Sequence, residues 1–431
     1  AAGVFLVARM YPLFAALPPS AGAAAVSPAL QVVAWLGAGT AVFAALIAVA
    51  QTDLKRILAY STVSQLGFMF LGLGVGGPAV GMFHLLTHAV FKALLFLGAG
   101  SVIHGCHHEQ DIRRLGGLRR SMPVTFATYA VGMMALSGVP LVFSGFWSKD
   151  EILHQAMAWG PSPGPFVLAV AGAFLTAFYM TRQVKLVFFG HYRGGPGHHG
   201  HGHGHGHGHG HRQDPGHGAV QESPRVMTVP LVVLAAATVL LTGVSTPAWP
   251  WLPRYLEGHR AAASGGHGGG EVGGVIGVVL LSTLLVGAGI GLGWAVYRRY
   301  LARAGHDRDP LEQWQPGVFG ALRRRLLVDE LYAATVGRLA GWLAVGADLL
   351  DRLGWALLVE WTAWIGRALA WLSRGLDDGV IHPGFDAGCE TVRGAGAVVS
   401  RWQGGQAQRY LRWLAGGVVA LGVFLAWTGR K

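Results

Sequence analysis

Hydrophobic residues occur in long runs along this chain, and most runs are about as long as the ~20 residues that cross a bilayer as an α-helix. These runs predict membrane-spanning segments at 1–17, 29–51, 54–76, 79–104, 122–158, 164–190, 226–244, 273–297 and 408–429. None of them alternates with a period of two, as the strands of a membrane barrel do, and a helix satisfies its own backbone groups in lipid. The predicted fold class is therefore all-α, a polytopic bundle of transmembrane helices.

The run at 122–158 is too long for one span, and small residues and Pro140 interrupt its middle. Because proline removes a backbone donor and clashes with the preceding turn, the run predicts a broken helix. Such a break persists only where its free backbone groups face protein or a water-filled cavity. Lys149 follows the break, and we predict that it carries protons and that Asp150 modulates it. The alternative is that Lys149, Asp150 and Glu151 begin an exposed loop.

A second group of ionisable residues lies within the predicted span 79–104. His84, His88 and Lys92 are four residues apart, so they share one helix face over about 12 Å of rise. Lys92 falls near the middle of the span, where a charged side chain facing lipid costs about 2.5–3.5 kcal/mol. We therefore expect these residues to face a polar interior and to relay protons, since imidazole titrates near neutrality. The alternative is that they only make hydrogen bonds that hold helices together.

Two weaker polar patterns adjoin this group. One stripe on the span 54–76 consists of Tyr60, Ser61, Ser64 and Gln65. It indicates either a water chain between ionisable residues or hydrogen bonds that join helices. A cluster at the end of the span 79–104 consists of His104, His107, His108 and Glu109. Its spacing permits a metal site, but a flexible cluster at the membrane interface is the favoured interpretation.

The stretch 325–402 follows a different pattern. Its polar stripe consists of Arg352, Glu360, Arg367 and Arg374, spaced two helical turns apart, with tryptophan and leucine on the other faces. This predicts a long amphipathic helix that lies along the membrane or against other membrane subunits, roughly 110 Å long if continuous. Pro383 is expected to kink or split it. An ordinary amphipathic surface helix would explain the stripe but not the length. The run at 408–429 is predicted to be a C-terminal anchor helix.

Charge supports a membrane protein and orients it. Only 13% of the 431 residues are charged, against about 25% in soluble domains. The net charge is +12, and the basic residues concentrate in alternate loops, at 51–56, 105–121, 191–225 and 298–325. By the positive-inside rule these loops are cytoplasmic, which predicts a multi-pass protein of the bacterial inner membrane. Basic residues that sit in short loops beside apolar spans do not indicate binding to nucleic acid.

Several segments carry no predicted chemistry. Cys106 and Cys389 are too few and too far apart to hold a redox cluster, and we predict no metal or cofactor in this chain. The segment 198–211 has eight histidines alternating with glycine and predicts a solvated loop, with weak metal binding as the alternative. The segment 258–274 is similarly rich in glycine and histidine. The chain begins inside an apolar run without methionine, so we expect an N-terminal part to be missing.

Six stretches of sequence resemble the L-type, distal antiporter-like subunit of NADH:quinone oxidoreductase, respiratory complex I. They are QTDLKRILAYSTVSQLGFMFLGLG (51–74), FHLLTHAVFKALLFLGAGSVI (83–103), HHEQDIRRLGGLRRSMP (107–123), SGFWSKDEIL (144–153), VDELY (328–332) and GGQAQRY (404–410). The first four are typical of the antiporter-like family. The last two, with the long predicted helix, favour the L-type member. The resemblance covers nearly the whole chain except the His–Gly segment.

The resemblance implies roles for matching residues. His84, His88 and Lys92 match the helix that connects the two half-channels, and Lys149 matches the lysine of the second broken helix. Residues 29–190 match the second of two inverted five-helix repeats, so the first repeat would lie upstream of Ala1. The predicted division of the chain is 1–28 (the remnant of a preceding helix and its loop), 29–190, 191–225 (the His/Gly-rich loop), 226–297 (two further spans), 298–402 (a linker and the lateral helix) and 403–431.

The resemblance also implies an activity and partners. We expect the chain to move H⁺ as a subunit of a proton-translocating NADH:quinone oxidoreductase, driven by quinone reduction elsewhere in the complex. NADH, FMN, iron–sulfur clusters and quinone would then be bound by partner subunits, and the lateral helix would contact other membrane subunits. One alternative is a membrane subunit of a cation/proton antiporter or a membrane-bound hydrogenase. Another is a structural clamp of the membrane arm that moves no ions.

Overall fold

A computed structural model describes residues 1–16, 26–140, 142–193, 220–246, 249–257, 272–302 and 308–429. These residues form two compact units, 1–329 and 330–431. The His–Gly segment 198–211 and residues 258–271 of the second glycine-rich segment lie outside the described residues. The predicted division into six segments stays a prediction.

Helices make up almost all of the described part of the first unit. They are α1 (Ala2–Arg9), α2 (Tyr11–Phe14), α3 (Pro28–Ala50), α4 (Leu54–Gly105), α5 (Leu118–Ser121), α6 (Pro123–Ser137), α7 (Ser144–Ala158), α8 (Gly164–Phe188), α9 (Arg225–Leu240), α10 (Trp251–Glu257), α11 (Val272–Ala302), α12 (Pro310–Trp314) and α13 (Pro316–Arg323). A two-residue antiparallel pair, β1 (Ser245–Thr246) with β2 (Trp249–Pro250), precedes α10. The predicted all-α fold class is confirmed.

Six stretches of described helix are long and apolar enough to cross a membrane: Pro28–Ala50, Leu54–Gly105, Gly164–Phe188, Arg225–Gly243, Gly277–Arg298 and Ala407–Thr428. They coincide with predicted spans. The shorter apolar helix α6 belongs to the predicted broken helix. The first predicted run, 1–17, differs, because it forms the two short helices α1 and α2.

Two predicted spans, 54–76 and 79–104, form the single element α4, which is sharply kinked. Gly77 lies inside α4 with φ 83° and ψ −171°, a backbone conformation that only glycine adopts without strain, and Pro78 follows it. The two halves of α4 return along each other, since Gln65 in the first half contacts His84 in the second. The kink therefore makes α4 a helical hairpin whose halves face each other.

The first half of α4 packs closely against α3. A Cβ atom added to Gly67 would lie 2.5 Å from the backbone nitrogen of Ala41, and one added to Gly37 would lie 2.4 Å from the nitrogen of Leu71. Small residues allow such close approach between membrane helices. This contact fixes the position of the helix half that carries Ser61 and Gln65.

The predicted broken helix is present as α6 and α7. α6 ends at Ser137 because Gly138 adopts a left-handed conformation with φ 80°, and α7 begins at Ser144. Gly145 allows α7 to start against the end of α6, since a Cβ atom there would overlap the Ala135 carbonyl oxygen at 1.9 Å. The break therefore lies inside the bundle, between tightly packed helix ends.

The basic loops of the first unit meet at one end of the bundle. The amide of Leu54 donates to Gln110 O at 2.9 Å, and Gly117 donates to Phe189 O at 3.0 Å. The side chain of Arg193 reaches Arg113 O at 2.6 Å. We call this end, formed by residues 51–53, 105–121, 189–193 and 308–323, the basic-loop face. The charge pattern correctly predicted that these loops share one side.

The second unit contains one long helical run followed by an apolar helix. The run comprises α14 (Val328–Tyr332), α15 (Arg338–Leu350), α16 (Leu357–Leu376) and α17 (His382–Trp402), joined by π-helical segments at Ala333–Gly337, Asp351–Ala356 and Asp377–Ile381. Its length is roughly 110 Å at 1.5 Å per residue. The anchor helix is α18 (Ala407–Thr428).

The interruption expected near Pro383 takes the form of the π-helical segment Asp377–Ile381, which separates α16 from α17 without ending the helical run. Leu376, Ile381 and His382 keep right-handed helical torsions on both sides of the last π-helical segment. That segment ends just before Pro383, where its wider turns leave room for the proline ring and need no hydrogen bond from the missing N–H.

Candidate functional site

Lys92 lies inside the first unit, on the second half of α4. Its side chain is 5% exposed, and Nζ donates to the carbonyl oxygen of Leu58 at 3.2 Å and to Ser61 Oγ. Phe96 lies nearby, with its ring centroid 6.0 Å from Nζ. The ammonium group is therefore held by two oxygen atoms of the first half of α4 and does not face lipid.

His84 is fully buried between two polar side chains. Nδ1 lies 2.9 Å from Ser148 Oγ on α7, and Nε2 lies 3.1 Å from Gln65 Oε1 on the first half of α4. Thr87 Oγ1 lies 3.1 Å from the same Ser148 hydroxyl. Both ring nitrogens therefore have partners, and the partners fix the orientation of the ring.

His88 lies between His84 and Lys92 in sequence and is 7% exposed. Its ring centroid is 6.2 Å from that of His84 and 5.4 Å from that of Phe91. Within the described residues, His88 Nε2 is buried without a hydrogen-bond partner. A buried polar atom of this kind is a site at which ordered water is expected.

Lys149 lies in the second turn of α7 and is 3% exposed. Nζ donates to Leu136 O at 2.6 Å, and the Phe68 ring centroid is 5.5 Å away. Leu136 belongs to the last turn of α6, where carbonyl groups lack helical partners and carry partial negative charge. The break in the helix therefore supplies the oxygen that binds the ammonium group.

Asp150 contacts a different helix. Its carboxylate accepts a hydrogen bond from Ser282 Oγ of α11 at 2.7 Å, and the residue is 8% exposed. Among the described residues, neither Lys149 nor Lys92 has a carboxylate within ion-pair distance. Modulation of Lys149 by Asp150 stays a prediction.

The structure brings the predicted residues into one buried row. Its members, in order, are Lys92, His88, His84, Ser148 and Lys149; we call this set the central row. A hydrogen bond joins His84 to Ser148, and the ring centroids of His84 and His88 lie 6.2 Å apart, a separation that one water molecule can bridge. The arrangement is suited chemically to passing protons between titratable groups inside a membrane. Within the described parts of the chain, no residue of the central row belongs to a group that could hold a metal ion.

The weaker polar patterns have separate outcomes. Ser61 and Gln65 face Lys92 and His84, whereas Ser64 Oγ donates to the Ala41 carbonyl oxygen at 2.8 Å and joins two helices. Glu109 binds the backbone amides of Gln110 and Asp111. In the described part of the chain, residues close enough to share a metal ion occur only in an exposed group on the long helix, so the histidine cluster near Glu109 does not form one.

Sequence reasoning missed a fully buried ion pair at the basic-loop face. Arg182 on α8 donates to Asp309 Oδ2 at 2.8 and 3.0 Å and to Gln51 O at 2.7 Å. Tyr297 on α11 donates to Asp309 Oδ1 at 2.8 Å. Arg182 is 0% and Asp309 1% exposed. An arginine near the end of an apolar run was a visible signal, but its partner is 127 residues away in sequence.

Residues 1–178 match the family described as "NADH:quinone oxidoreductase/Mrp antiporter, TM". A fold comparison agrees: the structure of the Mrp complex from Dietzia sp. DQ12-45-1b matches with a TM-score of 0.53 and 22% identity, over 86% of this chain and 36% of that chain. Over residues 1–178 the chain is therefore similar to the antiporter-like membrane subunits of this family.

The curated relatives that the chain matches include subunit L and chain 5 of quinone oxidoreductases. The chain is 47% identical over 249 residues to "NADH-quinone oxidoreductase subunit L" of Rhodobacter capsulatus, covering 56% of this chain and 31% of the relative. It is 43% identical over 282 residues to chain 5 of the NAD(P)H-quinone oxidoreductase of Picosynechococcus sp., covering 62% and 40%. The chloroplastic subunit 5 of Zygnema circumcarinatum is 34% identical over 426 residues, covering 89% and 55%. The chain thus spans about a third to a half of these relatives.

Proposed function

We propose that this chain moves protons through the central row as part of an NADH:quinone oxidoreductase. The observation that carries the proposal is the burial of Lys92 and Lys149, each bound by oxygen atoms and neither paired with a carboxylate within the described residues. A permanently charged pair of ammonium groups would be costly there, whereas groups that gain and lose protons are not.

The central row offers a stepwise path for a proton. A proton released by Lys92 passes through water to His88 and then to His84. Because Nε2 faces the amide oxygen Gln65 Oε1 at 3.1 Å, Nε2 keeps its proton, and His84 gains and releases a proton at Nδ1, which faces Ser148 Oγ at 2.9 Å. Ser148 adjoins Lys149 in the chain and donates its own proton as it accepts one, so atoms and charge balance at each transfer.

Electrostatics supplies a means of coupling. Lys92 and Lys149 belong to the same buried row, so they repel each other when both are charged, and interior charges interact more strongly than charges in water. A change of charge at one end of the row therefore changes the free energy of protonation at the other. Quinone reduction in a partner subunit would drive the row in this way, with NADH, FMN, iron–sulfur clusters and quinone bound outside this chain.

Replacement of Lys149 tests the proposal. In inverted vesicles that contain the whole complex, Lys149→Ala should abolish most proton pumping per NADH oxidised, while the complex still assembles. The control is Lys55→Ala, which removes an exposed lysine from the first turn of α4 and should leave pumping unchanged. Full pumping by an assembled Lys149→Ala complex would reject the proposal.

A specific observation supports a second role for residues 330–431. The long helical run exposes tryptophan along its length, at Trp342, Trp355, Trp361, Trp364 and Trp371. An apolar surface of this extent is typical of a site that binds other membrane proteins or the membrane interface. We propose that the run clamps neighbouring membrane subunits of the complex in a bacterial inner membrane.

A further inference from the structure

Lys92 lies close to the basic-loop face. Its ammonium group binds Leu58 O and Ser61 Oγ, and Leu58 is four residues from Leu54, where α4 begins. Four residues correspond to about 6 Å along a helix. Leu54 itself is tied to the basic loops by its bond to Gln110. Only about one helical turn therefore separates the binding site of the ammonium group from the end of the bundle.

Helix α8 lines this interval with two buried polar side chains, each of which has one oxygen atom without a hydrogen-bond partner among the described residues. Tyr179 and Gln183 are both 0% exposed. The Tyr179 hydroxyl lies beside the hydroxyl groups of Ser61 and Thr176, but it forms no hydrogen bond of ordinary geometry within the described residues. Gln183 Nε2 donates to Leu54 O at 3.2 Å, whereas its Oε1 is buried without a partner.

The spacing of these two residues matches the interval. Tyr179 and Gln183 are four residues apart, so they lie on the same face of α8, about 6 Å from each other. Tyr179 lies at the level of Ser61, and Gln183 lies at the level of Leu54. Buried polar atoms without partners are usually satisfied by ordered water.

We infer that Tyr179 and Gln183 bind ordered water that connects Lys92 with the basic-loop face. Water held by Gln183 Oε1 receives a proton at that face and passes one to water at the Tyr179 hydroxyl. That water protonates Lys92 through Ser61, and each oxygen releases one proton as it accepts another. The path gives Lys92 its own access to one side of the membrane, separate from Lys149 at the helix break. This inference rests on the proposed proton movement.

Cysteine accessibility tests this route without measuring pumping. Tyr179→Cys and Gln183→Cys are made singly in the full complex, with Cys106 and Cys389 replaced by serine. The matched controls are Ala177→Cys and Thr181→Cys, which are also buried on the same helix but on its opposite side. Vesicles of both orientations are treated with a small cationic methanethiosulfonate, and the mass of this subunit is measured.

We expect modification at positions 179 and 183 from the basic-loop side and at least tenfold slower modification at the controls. No modification at 179 and 183, equal modification at all four positions, or modification from the opposite side would overturn the inference. Labelling reports water access alone. If labelling succeeds and Lys149→Ala still pumps fully, the route stands and the proposed function fails.

The conservative variants Tyr179→Phe and Gln183→Leu keep the shape of the side chains but remove the oxygen atoms. Because these variants fill the same space as the wild-type side chains, they still test the route if the cysteine variants fail to fold. Both should slow proton uptake several-fold in the assembled complex. Unchanged uptake in both variants would count against the route even if the cysteines react.

Discussion

Single residues show how the bundle holds charge without exposing it to lipid. Lys92 and Lys149 are bound mainly by carbonyl oxygens, from Leu58 and Leu136. Arg182 instead has a carboxylate partner, Asp309, and is also bound to Tyr297 and Gln51. The two lysines, which have neutral carbonyl partners, are suited to exchange protons, whereas the guanidinium group, which has a carboxylate partner, stays charged. The ion pair is therefore interpreted as structural.

The Arg182–Asp309 pair should contribute strongly to stability. Arg182→Leu leaves Asp309 buried without its counter-charge, a loss of about 3–5 kcal/mol. A lower melting temperature of this subunit in the purified complex should show the loss of stability. The double variant Arg182→Leu/Asp309→Leu should recover part of that loss. Arg323→Leu is the control, because its pair with Glu312 is partly exposed and worth about 0–1 kcal/mol. Equal effects of Arg182→Leu and Arg323→Leu would contradict this interpretation.

Ser148 offers a second test at the residue scale. Ser148→Ala removes the hydroxyl that binds His84 Nδ1, so proton transfer between His84 and Lys149 should slow about tenfold or more. Ser144→Ala is the matched control, because Ser144 is a buried serine of the same helix that binds Thr238 O outside the central row. Proton pumping per NADH oxidised is measured for both variants, and we expect it to fall in Ser148→Ala but not in Ser144→Ala. Similar pumping by both variants would show that the Ser148 hydroxyl carries no proton.

At the scale of elements, glycines decide where helices meet. Gly77 turns α4 into a hairpin, Gly138 ends α6, and Gly145 admits the start of α7. Each of these positions brings a polar helix segment next to the central row. The hydrophobic pattern correctly predicted the broken helix. The tight hairpin inside α4 followed from Gly77 and Pro78, which separate two predicted spans.

Close packing of α3 and α4 predicts contrasting effects of alanine. Gly67→Ala places a methyl group 2.5 Å from the backbone of Ala41, so the helices must separate, at a cost of about 1–3 kcal/mol or more. Gly100→Ala has open space and should be neutral or stabilising, since alanine favours helix more than glycine does. Melting temperatures of the two variants in the purified complex measure the difference. A Gly67→Ala variant as stable as Gly100→Ala would argue against the close approach.

At the scale of the whole molecule, the chain consists of two units with different kinds of surface. Residues 1–329 bury polar and charged side chains in a bundle, and residues 330–431 expose apolar side chains along one helical run and an anchor. The first unit contains every residue of the central row. The second unit contains none of them, which favours a role in assembly.

A stop codon after Asp329 separates these roles. The remaining bundle keeps its internal contacts, so it should still insert into the membrane and remain resistant to protease. It should be lost from the complex during purification, because the tryptophan-rich surface is gone. Trp342→Ala/Trp361→Ala, in an otherwise complete chain, should weaken retention in the same direction. Retention of the truncated chain at wild-type levels would reject the clamp.

The sequence by itself determined the membrane class, most of the spans, the broken helix, the shared side of the basic loops and the presence of His84, His88, Lys92 and Lys149 in apolar segments. The length of apolar runs and the cost of placing charge in lipid depend on residues that are close together in the sequence, so these features can be predicted from it. The tertiary structure decided which atoms meet: Ser148 with His84, Leu136 with Lys149, and Arg182 with Asp309. These contacts join residues far apart in the chain, and they depend on how helices pack, which no local pattern specifies.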